Sequence, residues 1–184
     1  MKIGLLPVGQ VNHNFLTNLC QKLNDVFPDT KCTLIDDMLP LPEKAYSEKR
    51  GQYDSNFVLS QIHFYAAMQS RFGRVLGVVD VDIFVSELNY VFGEAYTPGR
   101  AALISLFRLK PEFYGEPANE KLFLERAVKE AVHELGHTNG LNHCPNLTCI
   151  MYFSNSITDT DKKQSLFCNR CIIQAEAAKK VEKQ

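Results

Sequence analysis

HELGHTNGLNHCPNLTCIM occupies residues 133–151 and separates a periodic, helix-forming stretch before it from an irregular, ligand-rich stretch after it. His133 and His137 are four residues apart, so a helix sets them one turn above each other on one face, close enough to share an ion. Glu134 lies beside that face, where its carboxylate reaches a metal-bound water without being a ligand, the place of a general base. Were the helix to continue, His143 would lie about 15 Å further along the axis than His133. Gly140 removes that obstacle, because glycine accepts the left-handed conformation that ends a helix and lets the chain bring His143 back to the other two imidazoles. Three neutral nitrogen ligands with one position left to water describe a catalytic rather than a structural zinc site.

The cysteines continue the pattern. Cys144 and Cys149 enclose four residues, eighteen follow, and Cys168 and Cys171 enclose two, close to the paired spacing of four-thiolate zinc sites. Four thiolates leave a tetrahedral ion no open position, so this second zinc is expected to be structural and to staple the carboxy-terminal part. Two Zn²⁺ per chain are therefore expected, one catalytic and one structural. Cys20 and Cys32 have no partner nearby in sequence and are assigned to the core.

Working outward, Leu122, Leu124, Ala127, Val128, Ala131, Val132 and Leu135 keep a helical period over Glu120–Asn139, with Asn119 as its cap. KIGLLPV (2–8) reads as a buried strand and Val11 to Phe27 as a helix that Pro28 and Asp29 break. KCTLIDDML (31–39) is extended, and Pro40 to Gly51, with its prolines and charges, reads as a mobile surface loop and a candidate lid. Asp54 or Ser55 caps a second helix ending near Gly73. RVLGVVDV (74–81) and AALISLF (101–107) are further strands, and a last helix is expected from about Asp159 to Lys183. Alternating strands and helices predict an α/β fold with a mixed, mostly parallel twisted sheet and flanking helices.

A chain of 184 residues allows a single domain, spanning 1–184. Twenty basic against 21 acidic residues leave a net charge of −1, too balanced for the electrostatic footprint of a nucleic-acid binder, so a zinc-ribbon nucleic-acid module is disfavoured. No tract reaches membrane-spanning length, and the amino terminus does not read as a signal peptide. A cytoplasmic, reducing location and a monomer are expected. Asp80 and Asp82, and the isolated His13 and His63, are left out of the site.

HExxHxxGxxH followed by Met151 resembles the metzincin zinc peptidases, and the added C-x4-C-x-M and downstream C-x-x-C resemble the archaemetzincin branch. VLGVVDVDIF and LNYVFGEAYTPGRAALISL are similar to that family as well. The resemblance implies an upper subdomain (about 1–140) with the sheet and active-site helix, and a small irregular zinc-stapled lower subdomain (about 141–184), with a substrate cleft between. It implies His133, His137 and His143 as catalytic zinc ligands, Glu134 as base, and Met151 as an apolar floor under the zinc. Cys144, Cys149, Cys168 and Cys171 are implied as the structural ligands, and AALISLF as the sheet edge along which an extended peptide lies. Some metzincins carry a tyrosine two residues after the methionine; here Phe153 stands there and Tyr152 comes first. The activity so implied is zinc-dependent hydrolysis of peptides or unfolded protein. A zinc-stabilised peptide-binding protein with little turnover is the alternative.

Overall fold

The computed structural model describes residues 2–27 and 30–181. In chain order the elements are β1 (Lys2–Pro7), α1 (His13–Val26), β2 (Lys31–Leu34), β3 (Tyr46–Ser47), β4 (Gln52–Asp54), α2 (Ser55–Met68), β5 (Arg74–Val79), β6 (Ile83–Phe84), β7 (Gly93–Ala95), β8 (Ala101–Ser105), α3 (Glu120–Thr138), α4 (Ile157–Lys162) and α5 (Asn169–Val181). The proposed breakers Pro28 and Asp29, and the expected helix end at Lys183, lie outside the described residues.

The main sheet has the order β2-β1-β5-β8-β7, parallel throughout except that β7 runs antiparallel to β8. Strand alternation divides its side chains between two cores. Ile3, Leu5, Leu76, Val78, Ala102 and Ile104 face α1 and α3, while Leu6, Val8, Val75, Val79, Ala101 and Leu103 face α2. Strands buried on both faces read as continuous apolar runs, which is why KIGLLPV and RVLGVV were legible as strands. Asn12, Asp54 and Asn119 cap α1, α2 and α3 with side-chain oxygens, and Phe15 of α1 stacks on Phe123 of α3 at 4.3 Å.

Four expectations are corrected. AALISLF is not the edge of the sheet: β8 lies between β5 and β7, and the edge beside α3 is the three-residue β7. Residues 40–51 carry regular structure in place of the expected loop. Ala45 is buried beside α2, Tyr46–Ser47 pair with β4 in a small second sheet, and Arg50 donates to the carbonyls of Leu88 and Asn89. The second helix ends at Met68, short of Gly73. The last helix is two helices, because the segment between them pairs with the cysteine loop: Gln164 N donates to Thr148 O, Ile150 N to Leu166 O, and the chain turns there to bring Cys168 inward. Among the described residues no helix is long and apolar enough to cross a membrane.

Candidate metal centre and cleft

α3 carries His133 and Glu134, both buried: Glu134 lies against Gly93 of β7, and His133 turns toward the loop at Ile150. It ends in a Schellman turn: Gly140 N donates to His137 O, Leu141 N to Gly136 O, and Gly140 takes a φ of 82°. The expected glycine break is therefore present, and it returns His143 to the first two histidines, with ring centroids 5.3 Å from His133 and 4.8 Å from His137. The turn also positions Leu141 O to accept the Nδ1 proton of His137 at 2.7 Å, while Ile150 O accepts that of His133 at 2.7 Å. With Nδ1 protonated on both rings, each Nε2 presents a lone pair. The two Nε2 atoms are 3.1 Å apart. A tetrahedral zinc at ordinary Zn–N lengths requires nitrogens about 3.3 Å apart, so the pair fits such an ion. One ligand atom from each of the three histidines falls within 4.8 Å of the others. Burial lowers the pKa of all three, His137 to about 4, which keeps them in the neutral form a metal requires.

The four cysteines gather behind this centre. Cys144 and Cys168 sulfurs are 3.8 Å apart and those of Cys149 and Cys171 3.7 Å. Zinc with Zn–S bonds of about 2.3 Å needs thiolates about 3.8 Å apart, so this set also fits a tetrahedral ion, and it leaves no vertex open. The two centres are coupled through the backbone, since Cys144 N donates to Met151 O and Ile150 O is the partner of His133. Met151 is fully buried against Gly136, whose position leaves no room for a Cβ beside the methionine sulfur.

A cleft of about 590 Å³ opens over the histidines. One wall is the segment from Tyr90 to Ala95, including β7; the other is Asn142, His143, Phe153 and Ser154; Glu130, His133, Glu134 and His137 of α3 form the back. Burial, then the neighbouring Glu130 carboxylate, raise the Glu134 pKa, and Lys163 opposes them. Lys163 is itself fully buried, with Nζ 3.2 Å from Glu130 Oε1 and 3.3 Å from Tyr152 O, so one cation ties α3 to the loop after Met151. Phe153 lies edge-on to His143 at 4.9 Å and lines the cleft, whereas Tyr152 donates its N–H to Cys149 O and accepts from Lys163 at its carbonyl. No residue of 40–51 lines the cleft among those described, so the lid expectation fails.

Several residues shape this cleft without having been singled out in the sequence. Gly93 faces α3, and a Cβ there would meet Glu134 Cγ at 2.6 Å and Oε1 at 2.7 Å. An isolated glycine inside a strand pattern is the signal for such close approach. Tyr90 donates its hydroxyl to Asn155 O at 2.9 Å, joining the two walls, and Arg108 lies 4.2 Å over its ring. Arg108 is in turn held by both oxygens of Asp82, and Lys110 by Asp80, so these aspartates are ion-pair partners.

Residues 15–177 match the model of peptidase family M54. The chain belongs to this family, the archaemetzincins. The archaemetzincin of Methanocaldococcus jannaschii is 44% identical over 172 residues, covering 94% of this chain and 91% of its own. Among solved structures, the archaemetzincin of Archaeoglobus fulgidus, complexed with malonate, matches with a TM-score of 0.80 at 37% identity, over 95% of this chain and 99% of that one. A zinc-dependent peptidase from Methanocorpusculum labreanum matches with a TM-score of 0.84 at 29% identity, over 94% and 99%. The chain is accordingly a zinc metallopeptidase, a hydrolase acting on peptides, with two groups of side chains among the described residues suited to metal ions.

Proposed function

We propose that the cleft hydrolyses peptide bonds with Glu134 as general base, that His133, His137 and His143 hold the catalytic zinc, and that Cys144, Cys149, Cys168 and Cys171 hold a second, structural zinc. The observation that carries the reading is the convergence of three imidazoles, two of them held with Nε2 free by carbonyl partners on Nδ1, beside a buried carboxylate in an open cleft. This is the metzincin arrangement, in one domain whose upper part (about 1–140) supplies sheet and helix and whose lower part (about 141–184) supplies the cysteine-stapled wall.

Zinc bound there supplies Lewis acidity, polarising a carbonyl and acidifying a water molecule. The protein does the rest. Glu134 takes a proton from the attacking water, holds it on its carboxyl group, and delivers it to the nitrogen of the departing amine. Gly93, having no side chain, leaves that carboxylate the slot it occupies against β7. Water and one peptide bond are consumed, and a carboxylic acid and an amine are released. β7 pairs with β8 on one side only, so its other edge offers backbone donors and acceptors to an extended peptide, which adds to the sheet as a further strand.

The test is hydrolysis of a diverse peptide pool read by mass spectrometry. Wild-type protein should cleave, and Glu134→Gln should lose at least about 10³-fold in kcat while keeping its metal. Equal activity in a clean preparation of the variant would refute the assignment of the base.

A further inference from the structure

Cys20 and Cys32 take no part in either group of metal ligands, yet the fold brings them together. Cys20 lies on the buried face of α1 among Leu16, Leu19 and Leu23, and Cys32 lies in β2 opposite Ile3 of β1. Their sulfurs are 2.7 Å apart. That is well inside the separation of about 3.5–4 Å at which nonbonded heavy atoms rest, and much closer than the 3.7 and 3.8 Å between the ligand cysteines.

The approach is built by rigid elements. Asn24, one helical turn beyond Cys20, accepts from Cys32 N at 2.7 Å and donates to Cys32 O at 3.5 Å, so α1 grips the backbone of β2 at the residue that carries the second thiol. β2 has only four residues and a ladder to β1 alone, which leaves it the outer strand of the sheet on the side away from the cleft.

We propose that Cys20 and Cys32 form a disulfide that ties α1 covalently to the outer strand β2. With a peroxide as oxidant the chemistry balances. The Cys20 sulfur attacks one peroxide oxygen, the O–O bond breaks, and a sulfenic acid and one water result. The Cys32 sulfur then attacks the Cys20 sulfur, the S–S bond forms as the S–O bond breaks, and the second water leaves with the Cys32 proton. Two thiols lose two electrons and two protons, and one peroxide becomes two waters. The contact with Cys32 lowers the Cys20 pKa against the opposing effect of burial, while the contact with Cys20 and then burial push Cys32 up, which sets Cys20 as the first sulfur to attack.

The test uses the full chain with zinc bound. The protein is treated with one equivalent of hydrogen peroxide, denatured in chelator with excess N-ethylmaleimide, and digested with trypsin. Cleavage at Lys22 and Lys31 puts the two cysteines on different peptides, 3–22 and 32–44. The expected product is these two peptides joined, 2 Da lighter than their sum, with maleimide on Cys144, Cys149, Cys168 and Cys171; a reduced control should carry maleimide on all six cysteines. Oxidised wild type should also unfold at higher urea than reduced wild type, a shift that reductant reverses and Cys32→Ser lacks. Six maleimides after peroxide, a Cys20 linked to any other cysteine, or a Cys20 carried on to sulfinic acid would overturn the proposal. None of these readouts depends on peptidase activity, and the mapping needs no variant to fold.

Discussion

Gly93 and Glu134 touch across the boundary between β7 and α3: a methyl group on the glycine would lie 2.7 Å from the glutamate's Oε1. The edge strand and the proposed base thus share one slot, and the position of the carboxylate depends on the strand having no side chain there. Leu103 O closes the same slot at 2.7 Å from that methyl, so the strand cannot simply retreat. Gly93→Ala is therefore expected to displace Glu134 and lower kcat by about 10²-fold, the cost of an ångström-scale misplacement of a reacting group. Metal content by elemental mass spectrometry should not change. Unaltered kcat in the alanine variant would show that the glutamate has room this packing denies it.

Glu94, the next residue along β7, points to the opposite face of the sheet, and among the described residues its Oε2 is buried without a hydrogen-bond partner. Burial raises its pKa, and Asp54 and Glu87 add to the rise against Ser55. The sign follows from linkage. A carboxyl with a folded pKa above its unfolded value binds more proton when folded, so its contribution to stability is lost as pH climbs through that interval. Glu94→Gln should consequently stabilise the protein by about 1 kcal/mol at pH 7. Urea titrations of the two proteins should converge once the pH falls below the unfolded carboxyl's ordinary pKa, near 4.5. A variant less stable than wild type at neutral pH would contradict the argument.

The Lys163–Glu130 pair is buried on both sides, with side-chain exposures of 0% and 4%. Removing one member of such a pair strands the other's charge. Lys163→Met is expected to cost about 3–5 kcal/mol in chemical denaturation, and adding Glu130→Leu should recover most of that loss. If the double variant is no more stable than the single one, the lysine acts through its bond to Tyr152 O instead.

How much of this was legible in the sequence depended on the range of the interaction. His133, His137, Gly140 and His143 lie within eleven residues, so helix geometry and one glycine dictate their convergence, and the structure brings them together as expected. The cysteine set spans a longer loop but has the chemistry of its spacing to identify it. Edge and interior strands, by contrast, have no local signature here. AALIS is apolar because both faces of an interior strand are covered, and β7, with only Gly93, Glu94 and Ala95, is too short to show alternation. The Cys20–Cys32 contact depends on how the chain turns between α1 and β2, which neither cysteine's surroundings reveal. The break between α4 and α5 has a similar cause, since it is imposed by pairing with Thr148 and Ile150, and the run from Asp159 onward contains no glycine or proline to announce it.

The most direct test of the two-metal account is zinc stoichiometry by elemental mass spectrometry on wild type and on His137→Ala. His137 supplies one of the three nitrogens and no part of the cysteine set. Wild type should hold two zinc ions per chain and the variant one, with its fold intact because the cysteine staple remains filled. One zinc in both proteins would contradict a resident ion at the histidines, and with it the proposed site of peptide hydrolysis.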